Sequence, residues 1–264
     1  MINAADASKE EPATSTSNAT VLVIGASGSI GRHVVAQALE AGFETRALVR
    51  RPDQAALFPE SASVVVADPT DAGVLAEALD GVTGVVLTQG TYSDADAEQA
   101  NYRPVKAVLD ALKAPARIAL MTALGVTKPT PDHDWKRRAE RLVRASGLTY
   151  TIVRPGWFDY NEPDERRLVL LQGDRRWASD PSDGVVSRAQ IAQVLVASLT
   201  SDAAERKTFE LVADKGEATS DLDPMLSALT PDAELDGPLD RDTLPLADEP
   251  ASVVADLDAV RARF

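Results

Sequence analysis

The sequence predicts an α/β fold built on a doubly wound parallel sheet, and three observations lead there. Short runs rich in β-branched residues alternate with amphipathic stretches of roughly 12 to 20 residues, the rhythm of βαβ units. The first run leads through a glycine-spaced turn straight into a helical pattern. At 264 residues, 44% of them hydrophobic and 26% charged, the chain is long enough for one large core without disulfides.

Residues 1–19, rich in Ala, Ser, Thr and Glu and without periodicity, are expected to be a disordered leader. Residues 20–24 then form the first strand. The first helix follows at 29–41, because Ile30, Val34, Val35, Ala38 and Leu39 recur at helical spacing and Gly42 supplies a left-handed stop. Further strands are expected at 44–49, 63–67, 84–88, 117–121, 149–153 and 208–212, with helices at 72–79, 94–112, 132–146 and 188–200. Right-handed crossovers place the carboxyl ends of such strands on one edge, where open α/β sheets bind ligands. Function is therefore sought in the loops after the strands. Residues 20–213 are read as this domain, with a small substrate lobe at about 155–187. From 214 to 264 the chain carries 13 acidic and 4 basic residues, a net of −9. Residues 214–250 read as an irregular, solvated acidic tail, with a docking motif as the alternative, and a short helix is expected at 251–264.

Composition narrows the chemistry. Cysteine is absent and His33 and His133 are the only histidines, so no metal centre and no thiolate nucleophile are expected. Against 41 acidic residues stand 27 Lys and Arg, a formal net charge of −14, which repels nucleic acid and anionic lipid. No apolar run approaches the roughly 20 residues of a bilayer span, and the first 20 residues lack a signal-peptide block. The expectation is a cytoplasmic protein, monomeric or homodimeric, whose partner is a small molecule rather than nucleic acid or membrane.

The stretch VLVIGASGSIGRHVVAQAL is the most informative in the chain. Gly25 permits a sharp exit from the strand, Gly28 leaves backbone N–H groups open to a pyrophosphate, and Gly31 lets the helix pack close to the strand. A dinucleotide site is expected, with Ser27, Ser29 and Ile30 counted in it and Gln89 and Gly90 joining from the end of the fourth strand. Selectors of NAD carry an acidic residue about 20 positions beyond the glycines. Here Arg50 and Arg51 stand instead, suited to gripping a 2′-phosphate, so NADP is favoured, with NADPH preferred over NADH. The competing reading is an exposed basic pair. Asp68, after the third strand, faces the adenine edge or caps the turn before Thr70.

With these residues in place the chain resembles an atypical short-chain dehydrogenase/reductase of the NAD(P)H-binding, NmrA-like group, with an NAD(P)-binding Rossmann fold. The segments ADPTDAGVLAEALDGVTGVVLTQG, WKRRAERLVRASGLTYTIVRPGWF and GVVSRAQIAQVLVASL followed by KTFELV carry the resemblance, which covers about residues 19–213. It implies a Tyr-x-x-x-Lys pair on the helix at 132–146, where the lysine lowers the tyrosine pKa and the tyrosine moves the proton. Lys136 matches the lysine. Asp132 occupies the tyrosine position, and a carboxylate is a poor proton donor at neutral pH. Lys136 then holds the nicotinamide ribose hydroxyls or pairs with Asp132 or Glu140. Thr122 matches the hydroxyl that polarises a carbonyl, or caps a strand end; His133 is either a replacement acid or an exposed residue at a helix start. Pro155 and Gly156 turn the chain over the nicotinamide, and Trp157, Phe158 and Tyr160 either wall a planar or apolar substrate or cover the helix beneath. The resemblance implies an NADPH-dependent oxidoreductase acting on a quinone, enone or similar acceptor without the tyrosine donor. The alternative is an NADP-binding redox sensor or regulatory protein that does not turn over.

Overall fold

Alternation along single strands organises the molecule. In β1 (Thr20–Ile24), Val21 and Val23 enter one apolar layer while Leu22 and Ile24 enter the other, all fully buried, as a pleat of period two requires when both faces of a sheet are covered. The computed structural model describes residues 19–264, so the expected leader, apart from Ala19, lies outside the described residues. After β1 the elements are α1 (Gly31–Glu40), β2 (Glu44–Val49), β3 (Ser63–Val66), α2 (Ala72–Ala78), β4 (Gly84–Leu87), α3 (Arg103–Ala111), β5 (Arg117–Met121), α4 (Pro131–Ala145) and β6 (Tyr150–Pro155). The chain continues through β7 (Trp157–Phe158), β8 (Arg167–Leu171), β9 (Val185–Val186), α5 (Arg188–Ala197), β10 (Lys207–Asp214), α6 (Asp223–Ser227) and α7 (Ala251–Arg261).

The main sheet runs β3-β2-β1-β4-β5-β6-β10-β8, parallel throughout except for β8, which pairs antiparallel with β10. The two apolar layers complete the doubly wound sandwich. On one face α1 and α5 contribute Val34, Val35, Ile191 and Leu195; on the other, α2, α3, α4 and α7 contribute Leu75, Val108, Leu142 and Leu257. Strand order reverses between β1 and β4, which opens a crevice at their carboxyl ends.

The structure departs from the expected elements in three places. Helix α1 starts at Gly31 rather than residue 29, since Ser29 and Ile30 belong to the turn. The helix expected over 94–112 is broken into a 3₁₀ turn, a π turn at Glu98–Tyr102 and α3. Pro104 lacks an N–H, and its ring would crowd the carbonyl four residues back in a regular helix, so the wider turn relieves the clash. Within the small lobe, β8 joins the main sheet, and β7 pairs with β9 to form a separate ribbon.

The acidic C-terminal segment is not a solvated tail. Helix α4 presents Arg137, Arg141 and Arg144 at i, i+4 and i+7, on one face, each nearly fully buried and each paired with an acid of the C-terminal segment. Arg137 and Arg141 both donate to Asp236, at 2.9 and 2.8 Å. Arg141 also reaches Glu249 at 2.7 Å, and Arg144 reaches Asp232 at 2.8 Å. Arg154 on β6 donates to both oxygens of Asp240, at 2.8 and 2.7 Å. Val253, Leu257 and Val260 of α7 then bury against the α3–α4 layer. The segment is acidic because the surface it crosses is basic, a relation that composition read within the segment does not contain.

Candidate functional site

The first loop has the geometry its glycines promise. Gly25 sits at φ +79°, and a Cβ there would stand 2.7 Å from the Gln89 backbone nitrogen. A Cβ on Gly31 would stand 2.2 Å from the Gly25 carbonyl oxygen, so helix and strand meet at backbone distance. The Gly28 N–H donates to the Gly25 carbonyl at 2.9 Å and closes the turn. A Cβ on Gly28 would touch only the Gly25 oxygen, at 3.1 Å. The N-cap of α1 is Ile30, which offers no side-chain cap, and no acid stands in the first turn. Apart from the Arg32 N–H, which the Gly28 carbonyl accepts at 3.1 Å, the helix therefore keeps its N-terminal donors and dipole for an outside anion. Gly28, Ser29 and Ile30 line a cleft of about 190 Å³ together with Gln89, Gly90 and Lys136. The Gln89 side-chain oxygen there is buried without a hydrogen-bond partner among the described residues. A close-packed glycine turn, an uncapped helix and an unpaired amide oxygen fit a dinucleotide.

At the end of β2, Arg51 pairs with Asp53 at 3.1 Å, whereas the Arg50 guanidinium makes no ion pair among the described residues. Asp68 accepts from the Thr70 N–H at 2.8 Å and the Thr70 hydroxyl at 2.5 Å, and these bonds hold its pKa below the usual carboxylate range. Of its two readings, the structure shows the turn cap. Gln54 goes unnoticed in the sequence: its Nε2 donates to the Ser27 hydroxyl at 3.1 Å while its Oε1 accepts the N–H groups of Arg50 and Arg51. It fixes the β2 loop against the glycine loop across a separation of 27 residues that no local pattern marks.

Lys136 projects from α4 into the cleft. Its ammonium donates to Asp132 Oδ2 and to the Thr91 carbonyl, both at 2.9 Å, and lies 4.5 Å from the centre of the Tyr92 ring. The ion pair is thus present, and of three ammonium donors two are used, which leaves one for a ribose hydroxyl. Burial lowers the Lys136 pKa. Burial also opposes ionisation of Asp132, but the hydrogen bonds from Lys136 and Thr130 outweigh it and hold that carboxyl below its ordinary pKa. Asp132 is therefore a carboxylate at neutral pH and has no proton to give. Thr122 donates its hydroxyl proton to Glu140 at 2.7 Å. A hydroxyl has one proton, so the expected role of Thr122 in polarising a substrate carbonyl is corrected to a buried structural contact. His133 is likewise not exposed: it is half-buried, burial lowers its pKa, and the imidazole is neutral at pH 7.

A larger cavity of about 470 Å³ adjoins the cleft, and Tyr92 and Phe158 line both. Its walls include Trp157, Tyr160, Trp177 and His133. The rings of Trp157 and Tyr160 meet edge to face, with centroids 6.0 Å apart. Pro155 and Gly156, expected with the cofactor, line this cavity and not the cleft, because a tight backbone crossing carries the chain away there: a Cβ on Gly156 would stand 2.4 Å from the Gly184 oxygen. Buried Asp174 accepts from the N–H groups of Gly125 and Thr127, both at 2.6 Å, and so clamps the loop after β5 to the small lobe. Tyr92, Lys128 and Trp177 escape the sequence reading because each comes from a different loop.

Comparison with known proteins adds an independent line. Residues 25–202 match the family model described as NAD(P)H-binding. The chain is 27% identical over 212 residues to the photosystem II assembly factor Ycf39 of Cyanophora paradoxa, covering 77% of this chain and 66% of that relative. It is 27% identical over 201 residues to quinone oxidoreductase 2 of Escherichia coli strain K12, covering 74% of this chain and 68% of the relative. The solved structure of a putative NAD-dependent epimerase/dehydratase from Bacillus halodurans shares the fold, with a TM-score of 0.66 at 21% identity over 80% of this chain and 100% of that one.

Proposed function

Since the chain belongs to the NAD(P)H-binding family, we propose that it is an NADPH-dependent oxidoreductase that reduces a small planar or apolar acceptor such as a quinone or enone. One observation carries this reading: the glycine-loop cleft adjoins an aromatic-walled cavity, with Tyr92 and Phe158 common to both. When bound, NADPH supplies the hydride. The glycine loop and the uncapped start of α1 hold the pyrophosphate, Arg50 meets the 2′-phosphate, and Lys136 holds the nicotinamide ribose. The aromatic walls keep the acceptor flat and exclude water from its faces. Asp132 is ionised and Thr122 is committed to Glu140, so neither delivers a proton. A quinone or enone that has taken hydride is stabilised as an oxyanion and takes its proton from water.

A second reading, an NADP-binding redox sensor without turnover, is favoured by the carboxylate at Asp132 where reductases of the superfamily carry tyrosine. Stopped-flow mixing of the NADPH complex with a panel of quinones and enones separates the two. Oxidation of bound NADPH by at least one acceptor is the expected result; the absence of oxidation with every acceptor supports the sensor.

The coenzyme preference has its own test. NADPH is expected to bind at least about tenfold tighter than NADH, since a charge-assisted hydrogen bond contributes about 1.5–3 kcal/mol. Arg50→Asp should remove that preference. Equal dissociation constants for the two coenzymes by calorimetry of the wild-type protein would refute the role of Arg50.

A further inference from the structure

The larger cavity carries an electrostatic imbalance. Most ionised side chains around it are answered within the protein: Asp132 by Lys136, Arg188 by Asp159, and Asp183 by the N–H groups of Ala178 and Ser179 at 2.9 and 2.6 Å. Lys128 and Arg176 are not. The half-buried Lys128 ammonium donates only to neutral oxygens, the Ser179 hydroxyl at 2.7 Å and the Trp177 carbonyl at 3.4 Å. Arg176, exposed at the rim, donates to the Asp183 carbonyl at 2.9 Å, and neither cation has a carboxylate partner among the described residues. Both line the cavity, on a chain whose net charge is −14.

Two cations without carboxylate partners beside aromatic walls describe a receptor for a ring with negatively charged oxygen on it.

We propose that the molecule bound in this cavity is a planar ring system bearing an anionic oxygen substituent, a carboxylate, sulfonate or phosphate, and that Lys128 and Arg176 select it. This rests on the oxidoreductase reading only for the reaction. There, hydride with its electron pair passes from NADPH to the ring, water supplies one proton, NADP⁺ and the reduced ring leave, and the anionic substituent is unchanged.

Calorimetry on the full chain saturated with NADP⁺ tests recognition without turnover, using 2-naphthoate and its neutral isostere 2-naphthamide. The acid should bind at least about tenfold tighter than the amide, the effect of one charge-assisted hydrogen bond. In Lys128→Met the acid-to-amide ratio should fall to about one. Arg176→Gln, which should reduce the same ratio, serves if the first variant does not fold. Equal affinities in the wild type, or a ratio unmoved by both substitutions, would overturn the proposal. A parallel comparison of 1,2-naphthoquinone-4-sulfonate with 1,2-naphthoquinone reads kcat/KM. Should no quinone or enone of the panel, these two included, oxidise NADPH while naphthoate keeps its Lys128-dependent advantage, the anion site stands and the oxidoreductase reading falls.

Discussion

Gly31→Ala is expected to abolish NADPH binding and to destabilise the fold, whereas Gly28→Ala should remove most of the binding and leave the fold intact. The difference follows from what each added methyl group meets. At Gly31 it would lie 2.2 Å from the Gly25 oxygen and 2.8 Å from the Ala26 Cα, both backbone atoms with no freedom to move aside. The helix must then withdraw from β1, which costs about 1–3 kcal/mol as an overpacking defect and carries the N-terminal donors of α1 away from the phosphates. At Gly28 the methyl touches only the Gly25 oxygen, at 3.1 Å, and otherwise occupies the cleft. It blocks the pyrophosphate instead of disturbing the chain. A ligand that binds only the folded state stabilises it, by about 2.7 kcal/mol at 100 times Kd, and so raises the melting temperature. Thermal melts with and without excess NADPH therefore separate the effects. Wild type should show a coenzyme-induced rise and both variants should lose it, with a lowered baseline melting temperature only in Gly31→Ala. A Gly31→Ala protein that retains the full rise would remove the glycine loop from the binding site.

That loop was legible because its chemistry is contiguous: strand, turn and helix start lie within residues 20–31, and the spacing of Gly25, Gly28 and Gly31 reports a backbone requirement directly. The strands were legible for a related reason, since residues buried on both faces of a sheet must be apolar along their whole length, as VLVI and GVVL are. Lys136 and Asp132 could be paired from sequence because one helical turn separates them. The larger cavity could not be assembled in this way. Tyr92 follows β4, Lys128 follows β5, His133 begins α4 and Trp177 belongs to the small lobe, and only the sheet order brings them together. The arginine stripe of α4 is visible as a pattern, yet its meaning resides in Asp236, 95 residues beyond Arg141. Read alone, the stripe is a solvated face and the acidic segment a solvated tail. Each explains the other only after folding.

Glu140→Gln should be the most destabilising near-isosteric change in the protein. Glu140 is fully buried and accepts from Arg154 at 3.0 and 2.6 Å, from Arg144 at 3.1 Å and from Thr122 at 2.7 Å. Through Arg154 and Arg144 it is joined to Asp240 and Asp232, so one carboxylate ties α4, β5 and β6 to the acidic C-terminal segment. Glutamine keeps the shape, removes the charge and turns an acceptor into a donor facing guanidinium groups. Breaking a buried ion pair from one side costs about 3–5 kcal/mol, equivalent to a fall in melting temperature of about 10 °C in a domain of this size. The pH dependence identifies the cause. Burial alone would raise the pKa of this carboxyl, but the two arginines outweigh burial and hold it at about 2, against an ordinary value of 4.5. A folded-state pKa below the unfolded one contributes stability that is fully present above about pH 4.5 and is lost as pH falls from there toward 2. Wild type and Glu140→Gln should therefore differ most near neutrality and converge as the medium is acidified through that window. A difference in melting temperature that stayed constant from pH 6 down to the acid transition would mean that packing, and not the charge of Glu140, holds the C-terminal segment against α4.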